Sequence, residues 1–156
     1  MKRRMDSSEI LERLRRVGEL RVSARATGVS GWSGEGSGSV TVESPSAEAV
    51  VFLEEGKWLT GVGFRNVYRW SLTSSRGVRL EHLRLGPDRP VHLVDFAPES
   101  ESLWNSVDPH RCGDDSYSAR LELREDSVAL SWSIAGPRKE QTIDLRYGWE
   151  APKIIR

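Results

Sequence analysis

The sequence carries a single cysteine, Cys112, in 156 residues. One thiol excludes an internal disulfide framework and a cysteine-rich zinc site. It also agrees with a reducing compartment, so a cytoplasmic location is expected. Neither charge is in excess: 23 basic residues face 23 acidic ones, for a net charge of zero. Nucleic-acid binders usually show a basic surplus that displaces counterions from phosphate, so nucleic acid is not an expected partner. A polybasic membrane anchor has no support either. No apolar run reaches the roughly 18 residues that a membrane-crossing helix needs. The basic start, MKRRMDSSEI, lacks the apolar stretch of a secretory leader. Lysine is scarce, confined to Lys2, Lys57, Lys139 and Lys153. The arginines that replace it are spread along the whole chain and locate no site.

What is present points to one soluble, mainly β domain spanning residues 1–156. A chain of this length fits a single core. Mean hydropathy is −0.50, and six tryptophans argue against disorder. Residues 6–17 read as one amphipathic helix: Asp6 and Glu9 have capping-box spacing, and Ile10, Leu14 and Val17 recur at helical period. Gly18 is the expected stop. Beyond it the pattern alternates with period 2. The Gly/Ser-rich stretch 28–39 reads as a bulged connection anchored by Trp32. It lacks the Lys-Ser/Thr of a phosphate loop. Glu55-Gly56 reads as a turn. Phe64, Asn66, Tyr68, Trp70 and Leu72 share one face of a strand, and residues 78–85 form another. Residues 97–116 lose all period and are expected as a long loop over one end of the body. Tyr117 to Leu123, Val128 to Ile134 and Gln141 to Tyr147 then alternate again.

About ten short strands joined by hairpin turns, with no crossover helices, imply antiparallel order. Closure removes the exposed edges of such a meander, so the expected architecture is an up-and-down antiparallel barrel with one N-terminal helix. Barrels of this size hold side chains or one small ligand.

The functional question is which polar residues share a face with the apolar ones. His82 and Arg84 lie in register with Val78 and Leu80. A buried Arg needs a carboxylate, such as Asp95 or Glu54, or an anionic ligand that fits its two-pronged fork. The opposite face of that strand carries Leu83 and Leu85, which leaves its inward face open. The densest polar cluster runs from Asp108 to Tyr117. Within it, His110 and Asp114 have the types of an acid/base pair. His82, His92, His110 and Asp114 are metal-ligand types, though without diagnostic spacing, and no metal is assigned. Cys112 with His110 has the types of a nucleophile and its base. Plain hydrogen bonding within the loop accounts for the same residues. Gly136-Pro137-Arg138-Lys139 puts two positive charges at a hairpin tip, where they could close over an anion.

In order along the chain, Phe64-Arg65-Asn66-Val67-Tyr68-Arg69-Trp70, Glu81-His82-Leu83-Arg84, the PHxCGxDxY segment at 109–117, and Trp132 with Gly136-Pro137-Arg138-Lys139 resemble a family of small bacterial, fungal and plant proteins catalogued as a domain of unknown function. The resemblance covers roughly residues 32–147. Such proteins look similar to calycin and lipocalin-like barrels, and Ser30-Gly31-Trp32 echoes the lipocalin Gly-x-Trp. The resemblance implies a ligand-holding lumen; it brings no catalytic mechanism, and the cofactor stays unknown.

Three functions are therefore weighed. The first is a barrel that binds a small, partly apolar, anionic ligand. Tyr68, Trp70 and Trp132 would line its lumen; His82, Arg84, His110, Asp114 and Tyr117 would meet the polar end, with Lys139 at the mouth. The second is a small hydrolase or isomerase using His110 and Asp114, with Tyr117 or His82 as donor. The third is an interaction domain or homodimer anchored by an exposed Trp104 or Trp149.

Overall fold

The computed structural model describes residues 5–28 and 32–149. The basic start, Ser30 and Gly31 lie outside these. Among the described residues one helix, α1 (Ser7–Leu14), precedes eleven strands: β1 (Val17–Gly28), β2 (Gly34–Ser46), β3 (Ala49–Trp58), β4 (Gly63–Leu72), β5 (Val78–His82), β6 (Val91–Pro98), β7 (Leu103–Ser106), β8 (His110–Cys112), β9 (Asp115–Leu123), β10 (Ser127–Ala135) and β11 (Lys139–Trp149). All pairings are antiparallel. Ten strands close a ring in the order β10-β11-β1-β2-β3-β4-β5-β6-β7-β9, with β9 returning to β10. β8 hangs outside the ring as a flap on β9. The protein is thus a closed ten-stranded antiparallel barrel with one short N-terminal helix.

The helix seals one end. Asp6 caps it by accepting the Glu9 N–H at 2.9 Å, which satisfies a donor that the first turn leaves free. Ile10, Leu11 and Leu14 are fully buried, each contributing about 1.5–3 kcal/mol by leaving water. The helix ends before the expected residue 17. Arg15 turns out to the β2–β3 hairpin, donating to the carbonyls of Ser46 (3.1 Å) and Ala47 (2.9 Å). Arg13 reaches the Arg124 carbonyl on the opposite hairpin. Val17 already pairs with Trp149, and Gly18 sits at a register shift inside β1 rather than at a helix stop.

Below the helix, inward side chains fill the barrel. Phe52 sits between Trp70 (5.7 Å) and Tyr147 (5.1 Å), and Trp70 stacks on Phe96 at 6.1 Å. These edge and offset contacts suit the quadrupoles of the rings.

Four expectations about the strands are corrected. The glycine-rich stretch is mostly strand, and Glu55-Gly56 is the interior of β3; the chain turns at 59–62 instead. The reason is close approach: a Cβ on Gly38 would lie 2.2 Å from the Glu55 carbonyl, and one on Gly56 would meet the Phe64 ring at 2.5 Å. Residues 97–116 are not one loop. They contain β7, which completes the ring, and β8. Trp104 on β7 is fully buried, so it anchors no partner, and Trp149 is half-buried beneath the Arg16 guanidinium, 5.1 Å from its ring centre. Finally, β5 stops at His82, because the chain bends so that the Leu83 N–H reaches the Val67 carbonyl (2.8 Å).

Candidate functional site

The end of the barrel opposite α1 is ringed by the β3–β4, β5–β6, β8–β9 and β10–β11 connections. Its interior divides into two halves. On the β1–β4 side, rings fill the space that the glycines leave: Trp32 packs edge-on against Trp58 at 4.6 Å, and Trp58 against Phe64 at 5.5 Å. Gln141 ties this corner down by donating to the Trp32 carbonyl at 2.8 Å.

On the other side the space stays open. A cavity of about 260 Å³ is lined by Tyr68, His82, Leu93, His110, Cys112, Tyr117, Trp132, Ile134 and Ile143. Tyr68 and His82 are cross-strand partners on β4 and β5, with their rings edge-on at 4.8 Å. β8 folds back along β9, so His110 pairs with Tyr117 and their rings lie 5.9 Å apart. Tyr117 meets Trp132 of β10 at 6.5 Å. Five of the expected residues, on five different strands, therefore converge on one space. Leu93, Ile134 and Ile143 were not singled out beforehand, although the last two continue the apolar alternation of β10 and β11.

The polar groups here are specific. His82 Nδ1 accepts the Arg84 backbone N–H at 3.0 Å. The neutral ring therefore carries its proton on Nε2. Burial, then the Arg84 charge, holds the His82 pKa below 6.5. The hydroxyls of Tyr68 and Tyr117 have no hydrogen-bond partner among the described residues.

Behind Tyr68 lies Glu54, one per cent exposed at the centre of the barrel. The Tyr147 hydroxyl donates to its Oε2 at 2.6 Å, and Asn66, its cross-strand partner, also hydrogen-bonds it. Burial raises the Glu54 carboxyl from 4.5 to about 7, with those two hydrogen bonds pulling the other way. Burial first and then the Glu54 charge push the Tyr68 phenol upward. Alternation along Val50, Phe52 and Glu54 signals this residue, which entered the sequence reading only as a partner for a buried arginine.

The remaining expected residues lie elsewhere. Trp70 points inward but is fully buried in the core beneath the cavity. Arg84 follows the end of β5 and is exposed, so no guanidinium enters the lumen from β5. Lys139 stands half-buried near the mouth, 3.5 Å from the Asp115 carboxylate. Asp114 is exposed at the tip of the β8–β9 hairpin, and no hydrogen bond or ion pair joins it to His110. The acid/base pair of the hydrolase reading is thus not formed. His92 faces outward, where its Nε2 lies 3.0 Å from Asp95, which also holds Arg79 at 2.9 Å. No group of three metal-ligating side chains occurs among the described residues.

A larger concavity, about 730 Å³, lies on the outside of β1, β2, β10 and β11. Its lining mixes charged side chains, among them Arg21, Arg124, Arg146, Glu35 and Asp144, with serines, glycines and Leu59. The lumen cavity has instead the apolar wall and few convergent polar groups of a ligand site. No helix among the described residues is long and apolar enough to cross a membrane.

Comparison with known proteins agrees with this fold. The S-type phycobiliprotein lyase CPES from Guillardia theta superposes with a TM-score of 0.68 over 96% of each chain, at 10% identity. A de novo designed fluorescence-activating β-barrel gives 0.46 at 13% identity, covering 92% of this chain and 98% of its own. EF1p2_mFAP2b, solved bound to DFHBI, gives 0.48 at 6% identity over 90% and 98%. Identities this low speak to fold alone. No curated protein matches the sequence. Residues 15–148 match the family of unknown function DUF6314, and the chain belongs to that family.

Proposed function

We propose that this DUF6314 barrel binds a small, flat, partly apolar molecule in its lumen, with any anionic group of that molecule at the rim. One observation carries the reading. The helix closes one end, while the other keeps an unfilled cavity of about 260 Å³ walled by Tyr68, Tyr117 and Trp132. That volume falls just under the range of about 300–1,000 Å³ usual for drug-sized ligands, so a one- or two-ring compound fits best. The rings and Leu93, Ile134 and Ile143 supply stacking and apolar burial. His82 Nε2 and the two phenols supply hydrogen bonds that fix orientation.

The anionic end belongs at the rim because the cations are there: exposed Arg84 and half-buried Lys139. Rim charges in solvent steer and orient more than they bind. Titrating the protein with aryl carboxylates, followed by thermal shift and tryptophan fluorescence, tests the reading. A saturable response that Trp132→Ala abolishes is expected. No response to any aryl carboxylate or its neutral counterpart would end the proposal.

A further inference from the structure

We propose that the deep end of this cavity takes a protonated amine, which stacks on the rings of Tyr68 and Trp132 with Glu54 as its counter-charge. The inference rests on the ligand-binding reading above and names the chemistry of the ligand's inner end.

Glu54 is faced by neutral groups. From β11 comes Tyr147, and from β4 come Asn66 and Tyr68; each is uncharged as it stands. On its other flank the cross-strand partner of Glu54 is Val40 of β2, and the buried side chains of β1 include Leu20, Val22 and Ala24, all aliphatic. His82 stands on the far side of Tyr68, with its ring edge-on to it. Lys139, the nearest inward cation toward the mouth, is already paired with Asp115. An ionised Glu54 therefore has no cationic partner inside the barrel among the described residues. A buried carboxylate held only by neutral donors is an expensive arrangement. A cation entering from the cavity supplies what is missing.

The wall suits such a guest. Among the described residues no Lys or Arg lines the cavity, whose basic side chains are the imidazoles of His82 and His110, and the negative faces of Tyr and Trp rings attract ammonium groups within about 6 Å. Tyr68 is the link between the two halves of the device. Its ring lines the cavity, while its strand neighbour Asn66 hydrogen-bonds the carboxyl. The Tyr68 hydroxyl, which has no hydrogen-bond partner among the described residues, has oxygen lone pairs that can accept from an N–H donor.

Burial holds the Glu54 carboxyl at about 7, so the attraction is present above that pH and fades below it as the acid takes up its proton. Isothermal titration with 1-naphthylmethylamine, 1-naphthylmethanol and 1-naphthylacetate at pH 6 and pH 8 tests this. At pH 8 the amine is expected to bind about tenfold more tightly than the alcohol. At pH 6 the ratio should shrink to about two- or threefold. In Glu54→Gln the ratio should be small at both pH values, while the alcohol still binds. His82 and His110, the two imidazoles on the cavity wall, both remain in that variant, so neither can mimic the result. Equal binding of amine and alcohol at pH 8, or a preference that survives in Glu54→Gln, overturns the proposal. If the alcohol and the carboxylate bind but the amine gains nothing, the binding reading stands and only this inference falls. If none of the three binds, both fall.

Discussion

Replacing Glu54 with Gln should make the protein more stable at neutral pH than the native chain, and no more stable in acid. The carboxyl titrates at about 7 in the fold, against 4.5 as its ordinary value. A group whose pKa is raised by folding binds more protons in the native than in the unfolded state. Unfolding then releases protons, so stability falls as pH rises. The contribution is complete below about pH 4.5 and is lost between there and about pH 7. At about 1.4 kcal/mol per pH unit, the loss is about 3 kcal/mol. Gln keeps the acceptor for the Tyr147 hydroxyl and removes the ionisation. For a chain of this size, about 3 kcal/mol corresponds to roughly 6–12 °C in Tm.

The assay is thermal unfolding of both chains at pH 5, 6, 7 and 8. Two other groups titrate with the opposite sign. His82, with its pKa depressed by burial and Arg84, contributes stability that is present above pH 6.5 and lost as pH falls. Asp95, held down chiefly by Arg79, behaves likewise at more acidic pH. Both are intact in the variant, so the difference between the two curves isolates Glu54. That difference should open with rising pH and level off near pH 8. Parallel curves would show that the carboxyl keeps its ordinary pKa, and the account of a costly buried acid would be wrong.

Further expectations follow from the same structure. Leu14→Ala empties the seat of a fully buried side chain at the sealed end; it should cost about 2–5 kcal/mol in urea unfolding. Gly38→Ala drives a methyl to 2.2 Å from the Glu55 carbonyl oxygen and should cost about 3 kcal/mol or prevent folding. Gly61→Ala, at a φ of +92° with no neighbour within 4 Å, should cost only about 1 kcal/mol; similar losses at the two positions would refute the close-approach argument. Arg84→Ala should weaken an aryl carboxylate by about two- to fivefold by calorimetry, as a rim charge does, and leave an aryl alcohol unaffected.

The strand faces were legible because each strand buries one side only. Phe64 to Leu72 and Tyr117 to Leu123 could be sorted into inward and outward residues from alternation alone. Glycine misled for a definite reason. In a hairpin it signals a turn, but in a tightly curved wall it lets neighbouring backbones and rings approach, as Gly38 and Gly56 do. β7 was hidden because its four residues, Leu103–Ser106, are too few to show a period, and yet the ring closes through it. Arg84 was carried inward by extending the alternation of β5 past the bend at Leu83.

What alternation cannot supply is depth. Tyr68 and Trp70 sit on the same face of β4, two residues and about 7 Å apart along the strand. One lines the open cavity, and the other is sealed in the core. Their difference is set by partners distant in sequence. Tyr68 lies between Phe52 and His82, and Trp70 between Val50 and Leu80, while the position of α1 decides which end of the ring is stoppered. The same holds for Glu54. Its inward direction follows from Val50 and Phe52 beside it. Its unusual chemistry does not, because that depends on Tyr147, 93 residues away, arriving at the same height in the barrel with a hydroxyl and no positive charge.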